Sequence, residues 1–357
     1  MGIPGVAAAE GISPRRLRLE SPNPRGTVPH GHQLQGVTMT DPRSTAPHAP
    51  RVSVSMTAFR HARWIGRAIE SVLAQDFDDW EIIVADDASD DRTVEVVRGY
   101  HDACIGPYGP RLRVLPHDAK VGQRQNYMRA LRACRGDFIA QLDGDDYFVD
   151  PEKLSKQVAL LDEDPSLAGV FGAWLETDQD GENGVETRGF GVEGRSRFGV
   201  VDFGALCRTT SAVVLFRRGL FGDFPEWFER ADVGDWPLHV LNLLGGGEYL
   251  YVPDVLSAHR NHPAGIWTRR SDEEKARGTI RMHEMFLAEL PPEVASEMLP
   301  QMLSVNLCRG RIALGEGDPS AALVYFDWCD RRRLKRPSRF KLWKLQRRAK
   351  RALRAAG

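Results

Sequence analysis

Asp143-Gly144-Asp145-Asp146 ends the apolar run Phe138-Ile-Ala-Gln-Leu142, so a short hydrophobic segment stops abruptly in carboxylates. The earlier run at 80–85 stops in the same way, at Asp86 and Asp87. A buried strand cannot carry bare charges along its length, so these carboxylates must emerge where each strand leaves the core. In an open α/β sheet that exit is the carboxyl edge, where ligands bind. Because crowded carboxylates repel each other, the Asp-x-Asp pair predicts half of a divalent-metal site.

Strand and helix periodicities alternate four times between residues 51 and 165. The strand patterns lie at 52–57, 80–85, 112–115 and 138–142. Helical spacing of apolar residues follows each of them, at 64–73, 90–100, 125–134 and 151–161, and Pro151 is expected in the first turn of the last helix. This alternation predicts an α/β fold with a mostly parallel, doubly wound sheet.

The alternation is weaker after residue 169. Strands are predicted at 170–175, 213–216, 249–252 and 255–259, with a Gly-rich polar loop at 178–199 and a helix at 236–244. Residues 272–330 have a helical pattern throughout, and 307–326 resembles one helix–turn–helix of a tetratricopeptide-like repeat, too few copies for a solenoid. The predicted segments are a disordered N-terminal segment at 1–50, a main domain at 51–270, a helical extension at 271–330 and a basic tail at 331–357.

Bulk composition is that of an ordinary globular protein. Among 357 residues, 42% are hydrophobic and 27% are charged. The five cysteines form no Cys-x-x-Cys pair, which argues against a disulfide framework or a zinc site and favours a reducing, cytoplasmic setting. No apolar stretch reaches the roughly 18 residues that cross a bilayer. The N-terminus lacks a signal-peptide core, and Met39 is a candidate for the true start of the chain.

The C-terminal segment 331–357 is strongly basic. It contains 13 Lys and Arg and no Asp or Glu, whereas the rest of the chain has 35 basic and 49 acidic residues. An apolar stripe recurs at helical spacing within it: Leu342, Leu345, Ala349, Leu353 and Ala356. This pattern suits an amphipathic helix on the inner, anionic face of a membrane, or one docked on the acidic body of its own or a partner chain. Because no recognition motif accompanies the charge, we expect no nucleic-acid binding.

The order of these motifs resembles the family-2 glycosyltransferases, inverting enzymes with the GT-A fold. The resemblance covers 51–165 well and the next hundred residues loosely. It is carried by four runs: Val52-Ser-Val-Ser-Met-Thr57-Ala-Phe59, Ile69-Glu-Ser-Val-Leu-Ala-Gln75-Asp-Phe, Ile82-Ile-Val-Ala-Asp86-Asp87-Ala-Ser89-Asp90-Asp91-Arg-Thr93, and Gly136-Asp137-Phe-Ile-Ala-Gln-Leu-Asp143-Gly144-Asp145-Asp146. It implies a GT-A-like mixed sheet with a nucleotide-binding half at 51–165, an acceptor half at 166–270 and a helical C-terminal extension.

The resemblance also assigns roles to residues at the predicted sheet edge. Thr57 and Phe59 are expected to line the nucleotide base, with the Phe59 ring stacked on it, and Asp87 to hydrogen-bond the edge of the base. Asp143 is expected to face the ribose or the metal. Asp145 is expected to bind the metal ion on the diphosphate.

The turn after the first strand departs from the family pattern. Arg60 stands where the family usually has Asn. Ser89 or Asp90 is expected to cap the following helix, because Ser and Asp bind free N–H groups at helix starts. With that assignment, Asp87 is the residue of this cluster that is expected to bind the donor. Asp86 is explained equally well as a capping residue and as a binding residue.

Inversion requires one base that takes the proton of the attacking hydroxyl group. The family supplies it from an acidic residue on a helix after the central sheet, and Asp235 lies in a matching Gly-Asp-Trp context. The alternative is that Asp235 merely caps the helix at 236–244. Asp232 and Glu229 are the spare candidates. Trp236 and Trp227 are expected to flank the sugar ring.

Four further residues are candidates for contacts with the donor. His262, in a segment that resembles the family's loop over the diphosphate, is a candidate for contact with the metal or phosphate, and a simple surface-loop histidine is the favoured alternative. Lys120, Gln123 and Arg124 precede or begin a helix, so they are candidates for a phosphate or ribose contact. A solvated helix start explains these three equally.

These observations predict a metal-dependent inverting glycosyltransferase of the hexosyl type. It would use Mn²⁺ or Mg²⁺ and a nucleotide-diphosphate sugar, expected to be a UDP-sugar. The acceptor would be a saccharide, a lipid-linked saccharide, a natural product or a peptide. One alternative is a non-catalytic nucleotide-sugar-binding scaffold. A sugar nucleotidyltransferase is a further alternative, but it needs a Gly-rich phosphate loop that 57–66 lacks, and no Gly-x-Gly-x-x-Gly motif supports a nicotinamide enzyme.

Overall fold

The structure is a computed structural model that describes residues 16–18, 49–107, 109–189, 192–332 and 336–356. The predicted disordered segment, 1–50, therefore lies almost wholly outside the described residues. Within it, Arg16–Arg18 forms a short strand at the edge of the main sheet, which the sequence pattern did not indicate. The candidate start at Met39 also lies outside the described residues.

The strands of the described residues fall mostly before residue 261. They are β1 (Arg16–Arg18), β2 (Val52–Ala58), β3 (Trp80–Asp86), β4 (Ile105–Gly106), β5 (Gly109–Pro110), β6 (Leu112–Leu115), β7 (Phe138–Gln141), β8 (Tyr147–Phe148), β9 (Leu167–Thr177), β10 (Asn183–Thr187), β11 (Arg197–Phe198), β12 (Leu215–Arg217) and β13 (Glu248–Arg260).

The helices alternate with strands in the first half and follow one another in the second. They are α1 (Ile65–Leu73), α2 (Thr93–Gly99), α3 (Gln123–Ala133), α4 (Lys153–Glu163), α5 (Val200–Ala205), α6 (Asp235–Leu244), α7 (Asp272–Glu289), α8 (Pro292–Gly315), α9 (Pro319–Arg331) and α10 (Arg336–Ala356).

One mixed sheet organises the site. Its strand order is β1-β10-β9-β12-β7-β2-β3-β6, and β7, β2, β3 and β6 run parallel. β12 is antiparallel to both of its neighbours, and β13 runs parallel to β9. The predicted α/β fold with a doubly wound mixed sheet is confirmed. Because β2, β3 and β7 are parallel neighbours, their carboxyl ends meet at one edge of the sheet.

The central strands are apolar because helices cover both faces of the sheet. Every residue of β3 is buried, as expected for a strand in the middle of a parallel sheet. On α1, Ile65, Ala68, Ile69 and Val72 are buried at helical spacing. Burial of one such Ile or Val side chain contributes about 1.5–3 kcal/mol.

The second half differs from the sequence expectation in several details. The loop predicted at 178–199 contains β10 and β11. The strands predicted at 249–252 and 255–259 are one strand, β13, whose pairing with β9 shifts register between Tyr251 and Val255. Helix α4 begins at Lys153, so Pro151 precedes the helix instead of lying in its first turn.

The helices predicted at 272–330 are present as α7, α8 and α9. Helix α7 starts with a reciprocal capping box between Ser271 and Glu274. One hydrophobic core joins α3 and α6 to α7, α8 and α9, and it includes Trp236 of α6 and Phe286 of α7, whose ring centroids are 5.5 Å apart. The core is therefore continuous across the boundary predicted at residue 270.

Candidate functional site

The Asp-x-Asp loop is fixed to the end of β2. The Thr57 hydroxyl donates to Asp143 Oδ1, and the Gly144 N–H donates to the Thr57 carbonyl oxygen over 2.9 Å. A Cβ atom on Gly144 would lie only 2.9 Å from His61 Nδ1, so a glycine is needed for this close approach. The two predicted nucleotide-side residues Thr57 and Asp143 are thus in direct contact.

Asp145 faces two imidazoles. Its Oδ2 lies 3.0 Å from His262 Nε2 and 3.6 Å from His61 Nε2, and the ring centroid of Trp64 lies 4.3 Å from that of His262. Burial opposes the charged carboxylate, but the charges of His61 and His262 outweigh it and lower the pKa of Asp145. The structure therefore brings together Asp145 and His262, two residues that the sequence placed more than a hundred positions apart.

The neighbouring carboxyl groups have the opposite shift. Burial, reinforced by the charge of Asp145, raises the pKa of Asp143. Burial and the same charge raise the pKa of Asp146, whose Oδ1 accepts a 2.9 Å bond from the Arg260 N–H. Arg260 also donates from Nη1 to the Asp145 carbonyl oxygen over 2.6 Å. Three carboxyl groups in one buried loop therefore share too little positive charge for all to ionise freely.

A second polar group beside this loop was missed by the sequence analysis. Glu176 accepts from Trp174 Nε1 at 2.7 Å and Asn261 Nδ2 at 2.7 Å, and it lies 3.0 Å from His259 Nδ1. Burial disfavours the charged imidazole, but Asp146 and Glu176 outweigh it and raise the pKa of His259 to about 10. This places a cationic imidazole beside the acidic loop.

Asp235 is the first residue of α6. Its Oδ1 accepts a 2.8 Å bond from the Trp236 N–H, while Gly234 is the N-cap, so Asp235 satisfies one free N–H group without being the cap residue. Burial raises the pKa of Asp235, and its charge is one cause of the raised pKa of Asp143. The two carboxyl groups are therefore close enough to interact electrostatically. Arg124 fixes the loop before α6 by donating to the Ala231 carbonyl oxygen at 2.9 Å.

The other residues proposed around Asp235 do not face the cleft. Trp236 is 5% exposed and donates from Nε1 to the Phe203 carbonyl oxygen, and Trp227 is 6% exposed against Phe286. The expectation that these two rings flank a sugar is wrong, because α7 covers them. Asp232 is paired with Arg281 at 2.8 Å, which weakens it as a spare base. Glu229 is exposed on a short 3₁₀ turn.

At the sheet edge where the nucleotide is expected, Lys120 covers the Phe59 ring in this structure. Lys120 Nζ lies 3.6 Å from the ring centroid of Phe59. The Asp87 carboxylate accepts from the N–H groups of Val121 at 2.7 Å and Gly122 at 3.1 Å, so it holds the loop that carries Lys120. Gln123 is exposed at the start of α3.

The capping assignment in the first acidic cluster is wrong. Helix α2 begins at Thr93, whose N–H donates to Asp91 Oδ1 at 3.0 Å. Ser89 Oγ instead accepts from the Arg60 N–H at 2.8 Å, and Asp90 forms an ion pair with the Arg60 side chain. Arg60 has a positive φ of 59°, a conformation for which Asn is the more usual residue.

The donor set at Asp145 is compatible with a hard divalent cation but does not enclose one. No group of three His, Cys, Asp or Glu side chains in the described residues is arranged to hold a metal ion. Asp145 lies beside His262, whose buried Nδ1 has no hydrogen-bond partner, and Asp143 lies two residues away in the same loop. A few protein ligands suffice when phosphate and water complete the shell of a divalent cation. These side chains therefore fit a divalent cation only together with other ligands.

Comparison with known proteins supports one family. Residues 53–221 match the family described as Glycosyl transferase family 2. An uncharacterized protein of Mycobacterium tuberculosis is 31% identical over 240 residues, which cover 66% of this chain and 65% of that protein. The chain thus spans slightly less than two thirds of the length of this curated relative.

Solved structures share the fold at low identity. The mannosyltransferase PcManGT from Pyrobaculum calidifontis, in complex with GDP-Man and Mn²⁺, is 18% identical with a TM-score of 0.57, covering 88% of this chain and 89% of that one. S. aureus TarS 1-349 in complex with UDP-GlcNAc is 18% identical with a TM-score of 0.56, covering 78% and 81%. At this identity the likeness establishes the fold.

Proposed function

Because this chain belongs to glycosyl transferase family 2, we propose that it moves a sugar from a nucleotide-diphosphate donor to a hydroxyl group with inversion. The observation that carries this proposal is the Asp-x-Asp loop at the carboxyl edge of the parallel strands, where Thr57 holds Asp143 and Asp145 Oδ2 lies 3.0 Å from His262 Nε2. This loop would hold the donor diphosphate, and Asp235 would supply the base.

The donor side is proposed to bind through the edge of the sheet. Asp143, Asp145 and His262 would hold Mn²⁺ or Mg²⁺, which when bound neutralises the charge that grows on the leaving diphosphate. Thr57 and Phe59 would line the base. We favour a UDP-sugar, as in the TarS complex, although the PcManGT complex contains GDP-Man.

The opening of the base site requires a local change. Lys120 covers the Phe59 ring, so the base would displace this ammonium group before stacking. Asp87 is engaged by backbone N–H groups, and it would contact the base edge with its remaining acceptor capacity. Gln123 is exposed beside this loop and would reach the ribose.

Asp235 is proposed to take the proton of the acceptor hydroxyl group as that oxygen attacks the anomeric carbon. Its raised pKa is suited to a general base, because a stronger base removes the proton more readily. Arg124 would position Asp235 by holding the preceding loop at Ala231. The acceptor is proposed to be a saccharide, a lipid-linked saccharide, a natural product or a peptide.

The location is proposed to be cytoplasmic, with contact at the inner face of the membrane. Within the described residues, no helix has the length and apolar content of a bilayer span.

A panel assay of nucleotide sugars tests the proposal. Wild-type protein with Mn²⁺ is expected to release one nucleoside diphosphate, and EDTA, Asp145→Ala and Asp235→Asn are each expected to suppress release. Donor affinity should survive in Asp235→Asn but fall in Asp145→Ala. Donor binding by an inert wild-type protein, with and without candidate acceptors, would favour the scaffold alternative. An absence of binding to every nucleotide sugar would refute the proposal.

A further inference from the structure

The apolar stripe of the basic tail is used within the protein itself. Leu342 is 1% exposed and Ala349 is fully buried, both in the core cluster that includes α9. Gln346 Nε2 donates to Asp327 Oδ1 of α9 over 2.9 Å. Of the interpretations of this stripe, docking on the body of the same chain is therefore confirmed. Leu342 and Ala349 are therefore not free to enter a membrane, whereas Leu353 of the same stripe is 42% exposed.

The opposite face of α10 presents large aromatic side chains to solvent. Phe340 is 58% exposed and Trp343 is 49% exposed, and their rings stack with centroids 5.9 Å apart. Lys344 Nζ lies 4.7 Å from the Phe340 ring centroid, and the Arg347 guanidinium lies 5.3 Å from the Trp343 ring centroid. Two adjacent exposed aromatic rings on a helix end are an unusual apolar surface for a monomer.

The same face carries positive charge without compensation. At 100° per residue, Arg347, Arg351 and Arg354 lie within the sector that contains Phe340 and Trp343. All three arginines are exposed, and among the side chains of 340–355 no lysine or arginine forms an ion pair with a carboxylate. We call this set, Phe340, Trp343, Lys344, Arg347, Arg351 and Arg354, the outer face of α10.

We propose that the outer face of α10 binds the surface of an anionic membrane. Aromatic rings suit the boundary between headgroups and acyl chains, and lysines and arginines attract anionic headgroups. The helix would lie on the membrane as a peripheral contact, with its other side still docked on α9. This inference is independent of the proposed catalytic activity.

The shape of the face favours a membrane over a nucleic acid. Single-stranded nucleic acids are generally bound in grooves that follow the backbone, with aromatic side chains spaced for successive bases. Here both rings lie within one turn of a single convex helix, and they stack on each other. A convex face with paired rings and a row of cations matches a plane of headgroups.

Co-sedimentation of the full chain with lipid vesicles tests this proposal. Wild-type protein is expected to bind phosphatidylcholine vesicles that contain phosphatidylglycerol and to leave pure phosphatidylcholine vesicles unbound. Salt near 1 M should release it, because the screening length falls to about 3 Å. Phe340→Ala/Trp343→Ala and Arg347→Glu/Arg351→Glu should each lower the bound fraction several-fold, with unchanged circular dichroism.

The matched control reverses two exposed arginines elsewhere. Arg98→Glu/Arg311→Glu changes the net charge equally on α2 and α8, and it should bind like the wild type. Equal binding of all three variants, equal binding to both kinds of vesicle, or no binding would each overturn the proposal. Tighter binding of a random RNA oligomer that depends on the same outer-face residues would assign this surface to nucleic acid instead.

Discussion

The two acidic clusters look alike in the sequence and differ in the structure. In the first, at 86–91, each carboxylate has dedicated donors: Asp86 accepts from the Ser89 N–H at 2.8 Å, and Asp87 accepts from Val121 and Gly122. In the second, at 143–146, burial and mutual repulsion raise the pKa of Asp143 and Asp146. Asp145 relies mainly on imidazoles.

The difference shows that the surroundings of a carboxylate, more than its position at the end of a strand, decide whether it has a structural or a chemical role. Donors fix the first cluster, and the pKa of Asp91 is lowered because bonds from Thr93 and Ala62 outweigh its burial. The second cluster is left with excess negative charge that a ligand can neutralise. We expect substitutions in the first cluster to act mainly through stability and those in the second mainly through transfer.

The largest expected effect is on turnover. Asp145→Asn should lower sugar transfer by roughly 10²–10³-fold, because stabilisation of the leaving diphosphate accounts for several kcal/mol. The measurement is the release rate of nucleoside diphosphate at saturating donor. The matched control, Asp90→Asn in the first cluster, should stay within about twofold, as expected for an exposed surface residue. Similar losses in both variants would remove the distinction between the clusters.

The next effect is on stability. Asp87→Ala leaves the N–H groups of Val121 and Gly122 without their acceptor, so the free energy of unfolding should fall by about 1–3 kcal/mol. Urea denaturation measures this change. Asp87→Asn, which keeps one acceptor oxygen, should lose less. An unchanged midpoint in Asp87→Ala would show that water replaces the carboxylate and that Asp87 is not a framework residue.

Metal binding should depend on pH through Asp143. The pKa of this carboxyl group is raised to about 7, chiefly by burial and then by the charge of Asp145. Protons compete with the cation below that value, so Mn²⁺ affinity should rise by up to about tenfold per pH unit as pH rises towards 7, and then level off. Calorimetric titration of Mn²⁺ checks this, and Asp143→Asn should flatten the dependence. A steep dependence that survives the substitution would point to a different group.

The smallest effect is a gain in stability. Asp143 has a higher pKa in the folded protein than the value of about 3.9 expected in the unfolded chain. Stability contributed by its protonated form is present at low pH and is lost as pH rises from the unfolded towards the folded pKa. Asp143→Asn should therefore be more stable than the wild type at neutral pH and similar to it in acid. Urea midpoints at the two pH values test this, and a loss of stability at neutral pH would contradict it.

The four strands and four helices predicted at 51–165 were located because each depends on a local apolar pattern, whereas the short strands β4, β5 and β8 in this range were not predicted. β3 is buried throughout, and α1 buries one continuous stripe, so periodicity alone located both. The edge position of Asp143 and Asp145 followed from the same logic, since charges must leave a buried strand at its end.

The interactions that the sequence could not predict are long-range ones. His259 and Glu176 meet because β13 and β9 pair in parallel, 83 residues apart along the chain. The Asp87 carboxylate accepts a hydrogen bond from the N–H group of Val121, which lies 34 residues further along the chain. Trp236 was assigned to a sugar because it follows Asp235, but its burial depends on α7, which has no local signal near residue 236.

The shared core across residue 270 has a consequence for synthesis on the ribosome. The family match ends at residue 221, and the helix that begins at Asp235 leaves the ribosome well before α7. Until α7 follows, Trp227 and Trp236 lack Phe286, the side chain that each of them packs against. The nascent chain therefore exposes this apolar surface during the interval, and a chaperone would bind there.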